Sequence, residues 1–346
     1  MDASTAGSLL AYAEDASARS RAQGGKAALD ELVERSDDVL DALAWFVGQG
    51  QADEAFRLTR ALYRYWITKR LFDAGSEWFG RVLALSGGDD RLRGQASVDA
   101  GFMPFWLGDD QRATELFEAG LAIGWQLDDA TLISQALGGL SRVALRTDVP
   151  EGRRLAREAL EISDLEDDES GRSNALHLLG VGAQIAGDLD EARDWMSQRL
   201  ELVRASDNGF LVASEASNLA MVERQLGNLD EAESLGREAI RIGSDVGDEF
   251  TRPFAVAGLA AVATERGQLE RAAKLLGAAE TMMEAKSMAW PPDERPHYEH
   301  MLSVLPRRMG SEAFERARQT GQRMDIESAV AYALAAAGPN TDEITD

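Results

Sequence analysis

The sequence has no cysteine. That excludes disulfides, thiolate metal sites and a cysteine nucleophile. It has only three histidines, His177, His297 and His300, so little imidazole is available for metal or acid–base chemistry. Proline is scarce at 8 residues, which removes the commonest helix breaker. Lysine is nearly absent among the basic residues: Lys26, Lys69, Lys274 and Lys286 stand against an arginine majority. No window approaches the roughly 18 uninterrupted apolar residues of a membrane helix. The first twenty residues, MDASTAGSLLAYAEDASARS, lack the basic start and apolar run of an export signal. The expected compartment is the cytoplasm, with no membrane partner.

Positive charge is also in deficit. The formal net charge of the 346 residues is -24. A duplex binder needs Lys and Arg to neutralise phosphates, so direct nucleic-acid binding is not expected. Apolar residues make up 45% of the chain, enough for a sizeable core. The abundance of Ala, Leu, Glu and Arg favours helix.

What is present is a repeat. GDLDEA (Gly187–Ala192), GNLDEA (Gly227–Ala232) and GQLERA (Gly267–Ala272) recur, with weaker copies GDDQRA (Gly108–Ala113) and TDVPEG (Thr147–Gly152). The steps are 39, 40, 40 and 40 residues. A degenerate copy, RLFDAG, spans Arg70–Gly75, and GQADEA, Gly50–Ala55, is out of phase by one helix. Each copy lies between stretches whose apolar residues recur every three or four positions, so each reads as a corner between two amphipathic helices. Gly227 is expected to end one helix in the left-handed conformation. Asn228 is expected to cap the next, with Glu231 completing a capping box; Asp188 with Glu191 and Asp148 with Glu151 repeat the pattern. Ala232 is small where two helices cross. A period near 40 predicts an all-α solenoid of helix pairs.

Leu179-Gly180-x-x-Ala183-x-x-x-Gly187-x-Leu189-x-x-Ala192 resembles the tetratricopeptide (TPR) pattern, with Ala159, Ala239 and Ala279 at its second crossing position. A narrower resemblance covers most of the chain. The run from Ala42 to Leu85, the segment AAxLLGAAE (Ala272–Glu280) through Pro291-Pro292-x-Glu294-Arg295, and DIESAVAYAL (Asp325–Leu334) are similar to the sensor arrays of large bacterial regulators. Those regulators join a signal-transduction NTPase module to a LuxR-type or SARP-type DNA-binding domain. Neither module is recognisable in this sequence. Gln23-Gly24-Gly25-Lys26-Ala27 lacks the upstream Gly and the Ser/Thr of a phosphate loop and reads as a turn. The resemblance implies a right-handed superhelix with helical caps: an N-terminal cap at 1–68, the array at 69–287, a C-terminal cap at 288–337 and a frayed tail at 338–346.

No catalytic constellation stands out. HYEH (297–300) places two histidines one turn apart without a third ligand cluster. The acidic run DLEDDE (164–169) and Asp128-Asp129 read as solvated turns between helix pairs. There is no Gly-x-Ser-x-Gly elbow. No cofactor, metal or enzymatic activity is expected.

The TPR resemblance implies a concave groove lined by the first helix of each pair. Transferring its register gives Phe102, Phe105 and Trp106 from one first helix. The next give Gln135, Arg142 and Arg146, then Asn174, His177 and Gln184, then Ser217, Met221 and Arg224. Gln95, Val98, Gly138, Leu145, Val181, Ile185, Ser214 and Gln225 share that register. The aromatic end suits an apolar part of a ligand and the arginines suit an anionic group. The expected function is ligand sensing or protein interaction in regulation. A protein or peptide partner, an amphipathic anionic small molecule and a homodimer are all open at this point, as is a scaffold or, with least support, a factor acting on a natural product. In ALYRYWITKRLF, Tyr63 and Trp66 share a core stripe, whereas Tyr65 falls off it; dense packing in a capping bundle is the favoured reading of these rings, with a pocket mouth or interface as the alternative for Tyr65.

Overall fold

In this computed structural model the chain is described over residues 1–20, 25–206, 208–285, 290 and 295–335. Gln23 and Gly24 of the Gln23–Ala27 segment and the tail at 338–346 lie outside the described residues, while Lys26 and Ala27 open a helix. Among the described residues all regular structure is α-helical, in eighteen helices. The chain divides into two compact units, Met1–Asn208 and Gly209–Asp346. The division falls inside the 69–287 stretch read as one array.

The first unit begins with α1 (Ala3–Arg19), α2 (Lys26–Glu34) and α3 (Ser36–Gln49). Helix pairs follow: α4/α5 (Ala52–Lys69, Phe72–Leu83), α6/α7 (Asp90–Leu107, Asp110–Leu127), α8/α9 (Ala130–Ala144, Val149–Leu165) and α10/α11 (Glu169–Ala186, Leu189–Arg204). The first helices α4, α6, α8 and α10 are consecutive neighbours, as a stacked array requires. Helix α4 packs against α1 and α3 on one side and α5 and α6 on the other. It is therefore apolar over a wide arc. Tyr65 and Trp66 are both buried in this core, and Trp66 meets Phe79 edge-on at 5.5 Å. Tyr65 is thus a core residue, as dense packing requires, and does not line a pocket mouth. Tyr63 is the half-buried one, and its ring lies 6.1 Å from Phe102.

The second unit contains α12/α13 (Gly209–Gln225, Leu229–Asp245), α14/α15 (Thr251–Glu265, Leu269–Glu284), α16 (Arg295–Met309), α17 (Ser311–Gln322) and α18 (Ile326–Leu334). Helix α17 packs closely on α15, while α16 lies against α14, α15 and α17.

The corners form as expected at their glycine and differently at the next residue. Gly108, Gly187, Gly227 and Gly267 have φ between 78° and 84°, where a side chain would be strained. The corner alanines Ala113, Ala192, Ala232 and Ala272 are at most 1% exposed. The capping box is absent from GNLDEA. Asn228 has φ −82° and ψ 64°, and Leu229 N donates to the Gly227 carbonyl at 3.0 Å. This is an inverse γ-turn. The Asn228 side chain makes no cap bond and instead donates to Glu223 Oε2 at 2.6 Å. Asp188 is also without a cap bond and pairs with Arg153 at 2.8 Å. Asp109, Asp129, Asp148 and Asp168 do cap their helices.

The corner acids serve largely as ties between neighbouring pairs. Arg153 bonds both Asp188 (2.8 Å) and Glu191 (2.6 Å). Arg266 does the same with Asp230 and Glu233 in the second unit. These forks fix the angle between pairs.

Candidate functional site

In the first unit, α6, α8 and α10 bring the expected face together. Arg142 of α8 donates to Asn174 Oδ1 of α10 at 2.9 Å. Gly138 makes room for this, since a Cβ there would fall on the Asn174 amide nitrogen. Arg146 spans the corner of the preceding pair: it bonds Asp110 and the Phe105 carbonyl (3.0 Å) and lies 3.7 Å over the Phe105 ring. His177 Nδ1 faces Arg199 at 3.4 Å, and Arg199 is 5% exposed.

The aromatic end is divided. Phe105 is buried, and Phe102 is half-buried between Tyr63 and Phe117. Trp106 is 43% exposed and stacks on Phe72 at 6.4 Å. Gln135 and Gln184 are half-buried on the same helices. Gln95, Gln135 and Asn174 occupy one register position on three successive first helices, so this face carries a row of side-chain amides.

The remaining expected residues, Ser217, Met221 and Arg224, lie in a cleft within the second unit, between α12, α14 and α16. Arg224 pairs with Glu265 at 2.5 Å and meets His297 Nδ1 at 3.3 Å. His297 is therefore packed against the array, not simply a solvated helix start. The far wall is aromatic: Phe254 to Trp290 edge-on at 6.0 Å, and Trp290 stacked on Tyr298 at 4.7 Å. The Tyr298 hydroxyl donates to Glu280 at 2.9 Å. Burial first, and then the negative charge of Glu280, push this phenol up to about 12. Glu280 also accepts from Arg318 (2.8 Å) and Gln322 (2.9 Å), which holds α16 and α17 to α15.

The cleft has an open volume of about 30 Å³. A small-molecule pocket is about 300–1,000 Å³, so this cleft has room for a water and not for such a ligand. No set of three His, Asp or Glu side chains converges as a metal site among the described residues. Phe254, Trp290, Tyr298 and Glu280 were absent from the sequence-derived set. One further step of 40 residues from Ser214 reaches Phe254, so the repeat ruler contained that residue. Trp290 and Tyr298 carried no such signal, because they belong to the non-repeating end, and Glu280 lies on a second helix, outside the first-helix register.

The architecture is that of a tetratricopeptide-type array of helix pairs. Residues 140–293 match the family model of the MalT-like TPR region. The fold is similar to that of a Rap protein complexed with Competence and Sporulation Factor, at 14% identity and TM-score 0.59, covering 96% of each chain. A STAND protein with a tetratricopeptide repeat sensor from Pyrococcus horikoshii gives 14% identity and TM-score 0.56, over 88% of this chain and 47% of that one. NprR in complex with its cognate peptide NprX gives 15% identity and TM-score 0.53, over 86% and 89%. At these identities the likeness is one of fold. A search of curated proteins finds no match.

Proposed function

We propose that this chain is a non-enzymatic peptide-recognition module of a regulatory system. An extended peptide docks on the first-helix face of the first unit. The observation that carries this reading is the amide row Gln95, Gln135 and Asn174. The side-chain oxygens of Gln95 and Asn174 accept from Arg60 and Arg142, so these amides turn N–H donors to the carbonyls of a peptide backbone. Packed helices lie about 8–10 Å apart, and an extended chain advances about 3.3 Å per residue. One amide therefore meets every third peptide residue. Trp106 offers an exposed ring at one end, and Arg142 with Arg146 offers positive charge for an acidic side chain or terminal carboxylate. Gln184 and His177 extend the face on α10, and the Phe105 ring meets Trp106 edge-on at 5.2 Å, with Phe102 packed nearer the core.

The fold of this chain resembles two structures containing bound factors, the Rap complex and the NprR–NprX complex. The sensor-array resemblance points to transcriptional regulation in a bacterial cytoplasm, with the array at 69–287 as the recognition element between its caps.

The test is selection of random decapeptides on the full chain, then calorimetric titration of the winners against Gln135→Ala and Asn174→Ala. Each substitution is expected to weaken binding by about 1 kcal/mol, the net worth of a lost hydrogen bond. Winners that bind both variants with unchanged affinity would show that the face is misassigned.

A further inference from the structure

The first-helix faces of the two units differ in one respect. In the first unit, the main packing partners of α6, α8 and α10 among the described residues are their neighbours in the array. In the second unit, α16 lies across α12 and α14. Its attachment is slight. Of the fifteen residues Arg295–Met309, only Met301 and Leu305 are buried, whereas α14 buries eleven of its fifteen. The remaining contacts are half-buried side chains, Leu302, Val304 and Met309 among them, and polar ties: Arg224 to His297, Tyr298 to Glu280, and Arg308 to the Thr264 carbonyl at 2.6 Å. Beneath α16 the floor is Ala257, Gly258 and Ala261, a surface that lets a helix approach closely. Gly258 is exposed, and a Cβ there would meet nothing within 4 Å.

We infer that the first-helix face of the second unit is a docking site for an amphipathic helix, that α16 is its resident occupant in cis, and that a partner helix of the same pattern replaces it. The partner chemistry follows from what α16 presents. It needs two apolar side chains one turn apart, as at Met301 and Leu305, and an aromatic side chain towards its N-terminal end to stack on the Phe254 wall. It also needs a polar group opposite Arg224. This is the helix-in-groove mode of recognition. A site filled in cis binds in trans only when the tethered helix lets go, since tethering gives an effective concentration in the millimolar range. The weak attachment of α16 makes that release accessible. The inference does not rest on peptide binding by the first unit, and either can fail without the other.

Two measurements on the full chain test it. Hydrogen exchange of the unsubstituted protein should show the hydrogen-bonded amides of α16 exchanging at least a hundredfold faster than those of α14 and α15. Equal protection across the three helices would overturn the inference, because α16 would then be a fixed part of the fold. The second measurement follows the anisotropy of a fluorescent peptide of residues 290–309. The Trp290→Ala/Tyr298→Ala chain, in which cis docking is weakened, should bind it at least tenfold more tightly than the unsubstituted chain. Adding Gly258→Trp, which projects a ring into the cleft, should abolish that binding. Binding that is absent from the weakened chain while its α14 and α15 amides stay protected, or that survives Gly258→Trp, would overturn it.

Discussion

Gly277 of α15 and Gly321 of α17 face one another where the two helices cross. A Cβ added to Gly277 would fall on the carbonyl oxygen of Arg318, and one added to Gly321 on the carbonyl oxygen of Lys274. Backbone touches backbone there, and no side-chain movement can make room. Gly277→Ala and Gly321→Ala are each expected to destabilise by about 1–3 kcal/mol through overpacking. The double variant should be less than additive, because one separation of the helices relieves both clashes. Gly258→Ala, in open space on α14, should instead stabilise by about 0.5–1 kcal/mol through helix propensity. Urea unfolding of the four variants checks the contrast. A Gly277→Ala protein as stable as Gly258→Ala would mean the helices do not touch.

Asn228 separates two accounts of the GNLDEA corner. If it were a capping residue, Asn228→Asp would be neutral or better. Because its amide donates to the buried Glu223, the substitution instead puts two carboxylates together. A loss of about 1–3 kcal/mol is expected at pH 7, the cost of a buried acceptor losing its donor. A thermal melt of the variant decides the matter. Asp148, which does cap α9 through the Glu151 N–H at 3.1 Å, should lose about 1 kcal/mol on conversion to Ala.

Asp248 sits at the entry to α14, 6% exposed. Its Oδ1 accepts from the N–H groups of Phe250 (2.8 Å) and Thr251 (3.1 Å), while Oδ2 is buried without a partner. Burial pushes its carboxyl above the usual 3.8, against the opposing pull of those N–H groups and Arg252. A carboxyl raised on folding stabilises fully below its unfolded value, and that contribution is lost as pH rises through its folded value. Asp248→Asn keeps the accepting oxygen and removes the ionisation. Its stability relative to the unsubstituted protein should therefore increase between pH 4 and pH 7, read as the shift in urea midpoint. A constant difference would show that Asp248 does not titrate differently in the folded chain.

Gly138 tests the amide row without removing an amide. Gly138→Ala would push the Asn174 side chain, the end of a flexible group, off its bond with Arg142. Overall stability should change by less than about 1 kcal/mol, since Ala favours the helix. Affinity for a peptide selected on this face should fall by about fivefold to tenfold, the worth of one hydrogen bond. Calorimetric titration beside a thermal melt separates the two effects.

The helix pairs were legible because they depend on local chemistry repeated along the chain. A glycine that tolerates positive φ, a small alanine at a crossing and apolar residues every third or fourth position act over one or two turns. The same ruler placed Asn174, Arg142 and Arg146 on neighbouring first helices. It could not tell what each arginine would bond. Arg146 reaches back 36 residues to Asp110, and Arg224 reaches 73 residues forward to His297. Those partners are set by packing between helices.

By itself, then, the sequence determined the all-α class, the period and the positions of the corners, since these follow from backbone preference and amphipathic spacing. Only the tertiary structure decided that Tyr65 is core, that Asn228 turns to Glu223 and makes no cap bond, and that α16 covers the second unit's first helices. Each of those outcomes is a competition between partners distant in sequence. Burial and geometry settle such a competition, and neither is encoded in the spacing of one segment.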